Sequence, residues 1–490
     1  MTEIRLVDVT MRDGNQSLWG ATGLNTAHML QAAALTEACG FRAIDFTSSS
    51  HMAVAVRYFQ NNPWERLRRM SAAMPTTPLQ FITTGLRFIA WQQADPEFMR
   101  LVYRALQANG VGRFVLLDPM HEVPAVIEAA KLVKEEGNAE VMAALTFTLS
   151  EIHTDQFYAD FARAVGQSPN IDLFYIKDPA GLLSMDRART LVPAVKAAIG
   201  NRPLEIHAHT TVGQGMLASL EATKLGISAI HVGVGPGGDG SSLPEANRMV
   251  ANLEEAGFSV GIDKAALKRL TSYWQSVALA EGLPPGTPQN FDASFLRHQI
   301  AGGVMTTIAR QLEELGLSDR MNAVIEETGQ VRADLGFPIM VTPFPQMVMT
   351  QALFNVIGER RYAQVSDQVI RYCMGKFGKP TSPVDREVLA TILDRPRARE
   401  LEKEPTFPAL GDLRRQFGYH MPDEEFLLRA VMPAEQVDAM LAAGRSRATY
   451  SPKAAPIISL LRKLAAKPDA RDIVIERGSF RLALHAGAAL

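Results

Sequence analysis

Only two cysteines occur in the 490 residues, Cys39 and Cys373. Both fall inside helical patterns far apart in the chain, so they form neither a disulfide framework nor a thiolate metal site, and a reducing compartment fits best. Charge of one sign is also lacking. Fifty basic residues against 52 acidic ones leave a formal net charge of −2, which gives no electrostatic footprint for nucleic acid or an anionic membrane. No window approaches the roughly 20 apolar residues that a bilayer span needs, so no membrane span is expected. No charged segment followed by an apolar run opens the chain, which predicts a cytoplasmic protein. What is present is a globular balance, 47% hydrophobic and 21% charged. The length exceeds what one core usually holds, and about two or three domains are expected.

Short aliphatic runs at 4–8, 42–47, 79–84, 113–118, 141–147, 171–177, 204–209 and 229–233 alternate with helical patterns such as 26–39, 124–136, 185–198 and 213–225. Continuous apolar strands fit a parallel sheet covered by helices, and eight such units in about 250 residues predict an α/β fold, a (β/α)8 TIM barrel over residues 1–262. An open doubly wound sheet usually stops at fewer strands. Beyond residue 263 the alternation ends, and 263–450 reads as an α-helical C-terminal domain, with buried helices at 348–358 and 362–374 and a charged, exposed stretch at 395–408. Residues 451–490 form a tail: an amphipathic helix at 457–466, then a run at 473–484 that alternates around Arg477-Gly478-Ser479 as a hairpin would. Such a tail has too little surface for its own core, so it packs on the body or meets a partner.

Three strands end in polar clusters, as barrel strands do where they deliver groups to the rim. The first runs into Arg12, Asp13 and Gln16, the sixth ends in Lys177-Asp178, and the seventh carries His207 and His209. Residues i and i+2 of a strand share a face, so the two imidazoles can bind one ion together. A lone buried histidine is usually a hydrogen-bonded core residue; two at this spacing, with a carboxylate at the end of the first strand, predict a metal site. Nitrogen and carboxylate ligands suit Zn, Mn, Fe or Co more than Ca or Mg. Lys177 is the odd member, since an ammonium repels a divalent cation. Either it stays outside the ligand set and pairs with Asp178, or its neutral amine takes up carbon dioxide and becomes an anionic carbamate ligand. Gly233-Val234-Gly235-Pro236-Gly237-Gly238 is the literal dinucleotide fingerprint, but it lies in the eighth unit with no strand-helix-strand unit after it. It reads instead as a glycine-rich loop whose amides receive a substrate anion.

Four ordered motifs carry a resemblance: Arg12-Asp13-Gly14-Asn15-Gln16-Ser17-Leu18, Ile176-Lys177-Asp178-Pro179-Ala180-Gly181, His207-Ala208-His209, and His298-Gln299-Ile300-Ala301-Gly302-Gly303 followed by Thr306. Over about residues 4 to 435 the chain resembles the biotin-dependent carboxyltransferases: the carboxyltransferase domain of pyruvate carboxylase, the α subunit of oxaloacetate decarboxylase and the 5S subunit of transcarboxylase. The resemblance implies a metal (Zn, Mn or Co) held by Asp13, an N6-carboxylated Lys177, His207 and His209. It implies catalytic roles for Arg12, Gln16, Lys177 and Thr306, with Gln16 positioning substrate and Thr306 shuttling a proton between biotin and substrate. The helical domain would then form a funnel over the barrel mouth.

Departures from the family pattern are equally specific. Where pyruvate-handling members carry an Asp, an Arg and a Tyr, this chain has Ala53, Thr84 and Trp91. Thr84 cannot replace a bidentate carboxylate partner, and Arg87 is out of register with the missing arginine; Thr84, Arg87 and Trp91 are the candidate substrate-binding residues. No Met-Lys-Met biotinylation motif occurs, so biotin is expected on a partner chain, a biotin carboxyl carrier protein, with a biotin carboxylase subunit and a homo-oligomeric assembly. The expected activity is carboxyl transfer between carboxybiotin and a small oxo acid or related carbonyl compound. Its rivals are a biotin-independent metal-dependent lyase, such as an aldolase or oxo-acid decarboxylase, and a non-catalytic scaffold.

Overall fold

The computed structural model describes residues 3–90, 92–300, 309–310, 312–314, 316–452, 457, 460, 472–478 and 480–485. Eight parallel strands close on themselves: β1 (Glu3–Asp8), β2 (Ala43–Ser48), β3 (Leu79–Thr84), β4 (Val111–Leu117), β5 (Glu140–Thr146), β6 (Leu173–Asp178), β7 (Leu204–Ala208) and β8 (Ala229–Val232). Each strand pairs with the next, and β1 sits between β8 and β2, with Val7 beside both His231 and Ala43. A two-residue strand β9 (Ser259–Val260) adds to the outer side of β1. The aliphatic runs read as strands are therefore a closed barrel, and its outer faces are covered by helices such as Thr26–Cys39, Val123–Glu135, Met185–Ile199 and Gly215–Lys224.

The first helix beyond residue 262 packs with the barrel. Asp263 caps a helix, Lys264–Glu281, by accepting the amide of Ala266 at 2.8 Å. Its Leu267, Leu270, Trp274 and Val277 join the same buried cluster as the barrel helices. The composition shift thus marks the end of the strands and not the end of the barrel's core. A second cluster gathers Ile300, Val324, Val331, Leu335, Phe344, Val348, Ala352, Ile370, Tyr372 and Leu401. It is built on helices Met321–Asp334, Phe344–Ile357 and Asp367–Cys373. The last of these starts later than expected because Ser366 caps it through the amide of Val369. The chain then returns to the barrel, where Leu413, Phe426, Leu428, Val437 and Met440 belong to the first cluster again. Charged 395–408 is not uniformly exposed, since the helix Pro396–Glu402 buries Ala398 and Leu401.

Polar contacts bind the second core to the barrel loops. Arg332 donates to the Leu149 carbonyl at 2.9 Å and to Thr148 Oγ1 at 2.8 Å, and the Lys379 amide donates to Glu122 Oε1 at 2.7 Å. This attachment sets residues 340–346 over the barrel mouth. In the tail, strands β10 (Asp472–Arg477) and β11 (Phe480–His485) pair antiparallel, with Arg477 opposite Phe480. The helix expected at 457–466 lies largely outside the described residues. Among the described residues no helix is long and apolar enough to cross a membrane.

Candidate active site

Asp13 reaches the mouth on one wide, π-type helical turn, Thr10–Gly14, just after β1. The turn is pressed against the loop after β8. A Cβ on Gly14 would meet the Gly237 carbonyl oxygen at 2.6 Å, and one on Gly237 would meet Thr10 Cγ2 at 2.6 Å. Glycine at both positions is what lets the first and last strands' loops touch. The glycine-rich loop does not receive an anion through its amides, contrary to expectation. The amides of Gly233, Val234, Gly235, Gly237 and Gly238 already donate to Pro244 O, Thr10 Oγ1, Glu245 Oε1, Val234 O and Gly235 O. Its role here is to seat the Asp13 turn.

Four groups converge at the centre. Lys177 stands beside His207 in the β6–β7 ladder, so neighbouring strands point both inward. Lys177 Nζ lies 2.7 Å from Asp13 Oδ2 and 2.6 Å from His207 Nε2. His207 Nε2 is 3.0 Å from Asp13 Oδ2, and His209 Nε2 is 3.4 Å from Asp13 Oδ1 and 3.2 Å from His207 Nε2. One ligand atom each from Asp13, His207 and His209 lies within 4.8 Å of the others. All four side chains are buried. Lys177 pairs with Asp13 and not with Asp178, because consecutive strand residues face opposite ways. Asp178 instead accepts the amides of Leu182 at 3.0 Å and Leu183 at 2.8 Å.

The surroundings fix these groups. Arg12 Nη1 lies 3.0 Å from Asp13 Oδ2, and its Nε donates to Asp45 Oδ2 at 2.8 Å. Ser17 Oγ donates to Asp13 Oδ1 at 2.9 Å. Arg12 therefore braces the Asp13 carboxylate. Asp45, its other anchor, escaped the sequence reading, although a lone acid inside an apolar strand was the available signal. Burial would raise the Asp13 carboxyl, but Arg12, Lys177 and His209 hold it well below the usual carboxylate range. Burial pushes the Lys177 amine below the usual lysine range, against the pull of Asp13. Burial and then Lys177 push His207 well below the usual imidazole range, so it is neutral. His209 Nδ1 lies 2.7 Å from the Ser241 carbonyl, an acceptor only, so Nδ1 carries the proton and the Nε2 lone pair faces the centre. Two imidazoles and an ionised carboxylate suit a divalent transition metal, provided Lys177 surrenders its charge.

A cavity of about 320 Å³ opens over this centre, within the range of small-molecule sites. Arg12, Asp13, Gln16, Lys177 and His209 form its charged end. Ser48, Ser49, Ser50 and Thr84 face it from β2, β3 and the helix Ser49–Phe59, and Thr342 and Gln346 close the top. Gln16 and Thr84 line the cavity. Arg87 does not: it is buried elsewhere, with Nη2 donating to the Phe377 carbonyl at 2.9 Å. The loop turns its side chain toward the second domain. Thr306 and Trp91 lie outside the described residues.

Comparison with known proteins gives the family. Residues 295–455 match a conserved carboxylase domain, and residues 118–273 match an HMGL-like domain. The chain is 31% identical to a pyruvate carboxylase subunit of Methanocaldococcus jannaschii over 392 residues, covering 80% of this chain and 68% of that protein. It is 29% identical to the 2-oxoglutarate carboxylase large subunit of Hydrogenobacter thermophilus, over 90% of this chain and 68% of the relative. Its fold matches the carboxyl transferase domain of Rhizobium etli pyruvate carboxylase with a TM-score of 0.83 at 21% identity, over 100% of this chain and 84% of that one. The chain belongs to the carboxyltransferase family of biotin-dependent carboxylases that includes the Methanocaldococcus jannaschii pyruvate carboxylase subunit.

Proposed function

We propose that this chain is the carboxyltransferase subunit of a multi-subunit biotin-dependent carboxylase, moving a carboxyl group between carboxybiotin on a partner chain and a small oxo acid or related carbonyl compound. The observation that carries the reading is the convergence of Asp13, Lys177, His207 and His209 beneath a cavity of small-molecule size. Asp13, His207 and His209 would hold Zn, Mn or Co, with N6-carboxylated Lys177 as the fourth ligand. A divalent cation there supplies Lewis-acid polarisation of a substrate carbonyl.

The remaining work falls to the protein's own groups. Gln16 orients substrate from the charged end of the cavity. Arg12 holds Asp13 in place and ionised. Thr306 carries the proton at its hydroxyl between biotin and acceptor. Residues 340–346 exclude water from above. Thr84 offers a hydroxyl and no guanidinium to the acceptor, so the acceptor's orientation depends on hydrogen bonds rather than on a bidentate ion pair.

The assembly would bring a biotin carboxyl carrier protein and a biotin carboxylase subunit, in a homo-oligomeric arrangement with this chain. The test is purification from the native source followed by mass spectrometry and metal analysis. A biotinylated partner at constant ratio, together with oxo-acid-dependent decarboxylation of free carboxybiotin by the purified subunit, is the expected result. Turnover of an oxo acid by this chain alone, with no biotinylated protein attached, overturns it in favour of a lyase.

A further inference from the structure

Beneath the metal-facing ends of His207 and His209 runs a buried chain of three more side chains that the proposed chemistry does not use. Arg113 on β4, Glu205 on β7 and His231 on β8 all point into the barrel and are almost wholly buried. Arg113 Nη2 lies 2.7 Å from Glu205 Oε1. Glu205 Oε2 lies 3.1 Å from His231 Nε2, and His231 Nδ1 lies 3.0 Å from His207 Nδ1. Registers make this inevitable: Glu205 and His207 are two apart on β7, and β8 continues the same inward face through Ala229 and His231.

The direction of every proton in this chain follows from its far end. A carboxylate only accepts, so His231 must donate from Nε2 to Glu205. A neutral imidazole has one N–H, which leaves His231 Nδ1 with a lone pair. The short contact to His207 Nδ1 then requires His207 to donate from Nδ1. His207 Nε2 is left as a lone pair aimed at Asp13 and Lys177, which is the form a metal needs.

We propose that Arg113, Glu205 and His231 are positioning residues that fix the metal-binding tautomer of His207. The inference rests on the metal site proposed above. It predicts a reversal that a merely space-filling role would not produce. In Glu205→Gln, Arg113 holds the amide oxygen, so the amide nitrogen faces His231. His231 then accepts at Nε2, donates from Nδ1, and forces the His207 proton onto Nε2, where it blocks the ligand position. Removing the arginine as well, in Arg113→Met with Glu205→Gln, frees the amide to turn its oxygen to His231 and restores the original direction.

The experiment titrates metal-free protein with Co2+ alone and follows binding by calorimetry and by the cobalt absorption bands, alongside a thermal melt to establish that each variant is folded. The parent binds one Co2+. Glu205→Gln weakens binding by about 10- to 100-fold with altered bands, and the double variant recovers both. An unchanged dissociation constant in Glu205→Gln overturns the proposal. So does a folded double variant that binds no better than the single one. A parent that binds no Co2+ removes the metal site itself, and the proposal with it.

Discussion

The two ends of the cavity are built to different standards. At the charged end three of the four converging side chains are each held from behind by a further group: Asp13 by Arg12 and Ser17, His209 by Ser241, His207 by His231. Elsewhere on the cavity wall stand short hydroxyl side chains, Ser48, Ser49, Ser50 and Thr84. The nearby arginine, Arg87, is turned away to the Phe377 carbonyl. A reaction centre needs groups fixed to a fraction of an ångström, and fixing them in a barrel takes buried, paired charges. A recognition end only has to differ between substrates, and loop residues can change without disturbing the sheet. Under the proposed function, the chemistry would belong to the ends of the first, sixth and seventh strands, and acceptor choice to the ends of β2 and β3 and the segments attached to them.

The sharpest way to break this contrast is at Asp13. Asp13→Asn is expected to abolish metal retention and activity together, read by elemental analysis and turnover. It also leaves Arg12 and Lys177 buried with one partner fewer, which costs about 3 kcal/mol or more, seen in a urea melt. Retained metal would mean that the two ends are equivalent. Next is Lys177→Arg, which keeps the cation but cannot form the carbamate. It should lose activity even with bicarbonate present, while full activity would exclude the carboxylated lysine.

Acid stability separates the ends more finely. Burial opposes ionisation of Glu205, but Arg113 and His231 overcome it and hold its carboxyl at about 2, against 4.5 for a glutamate in water. A depressed carboxyl contributes stability that is complete above the unfolded value and is lost as pH falls through the folded one. The expected loss between about pH 4.5 and pH 2 is on the order of 3 kcal/mol. Denaturant melts across that window should show it, and Glu205→Gln should flatten that part of the profile. At the hydroxyl end, Thr84→Arg should strengthen pyruvate or oxamate binding to metal-loaded protein about tenfold by calorimetry, near 1.4 kcal/mol. Arg87→Leu should leave that affinity unchanged and lower stability by only about 1 kcal/mol. A weakened affinity there would place Arg87 in substrate recognition after all.

Much of this was legible in the primary structure because it is local and periodic. The eight strands announce themselves as aliphatic runs, and His207 and His209 declare a shared face by their spacing alone. The partner of Lys177 was not legible, since the Asp13 contact spans 164 residues and only barrel closure creates it. Arg113 and His231 were equally silent, each a single polar residue within an apolar strand, and Glu205 beside them gave no sign of its partners; register sets Glu205 and His231 on one inward face, and barrel closure brings Arg113 to them. The packing of the segment after the last strand was hidden for a related reason. Composition records where strands cease, but the helix Lys264–Glu281 shares the barrel's core through Leu270 and Trp274, which no local pattern reveals. Arg87 donates to the Phe377 carbonyl and does not line the cavity, and a loop's sequence does not say which way its side chains turn.

The seat of β1 has a temporal consequence. It is the first barrel strand to leave the ribosome, yet its neighbours are β2 and β8, and β8 ends only at Val232. Until that last strand has emerged, the carboxylate of Asp13 has no fixed place opposite the imidazoles. Under the proposed function, metal capture would be a late event in the life of the nascent chain, and an intermediate lacking the eighth strand should fold around its helices while remaining unable to hold the ion.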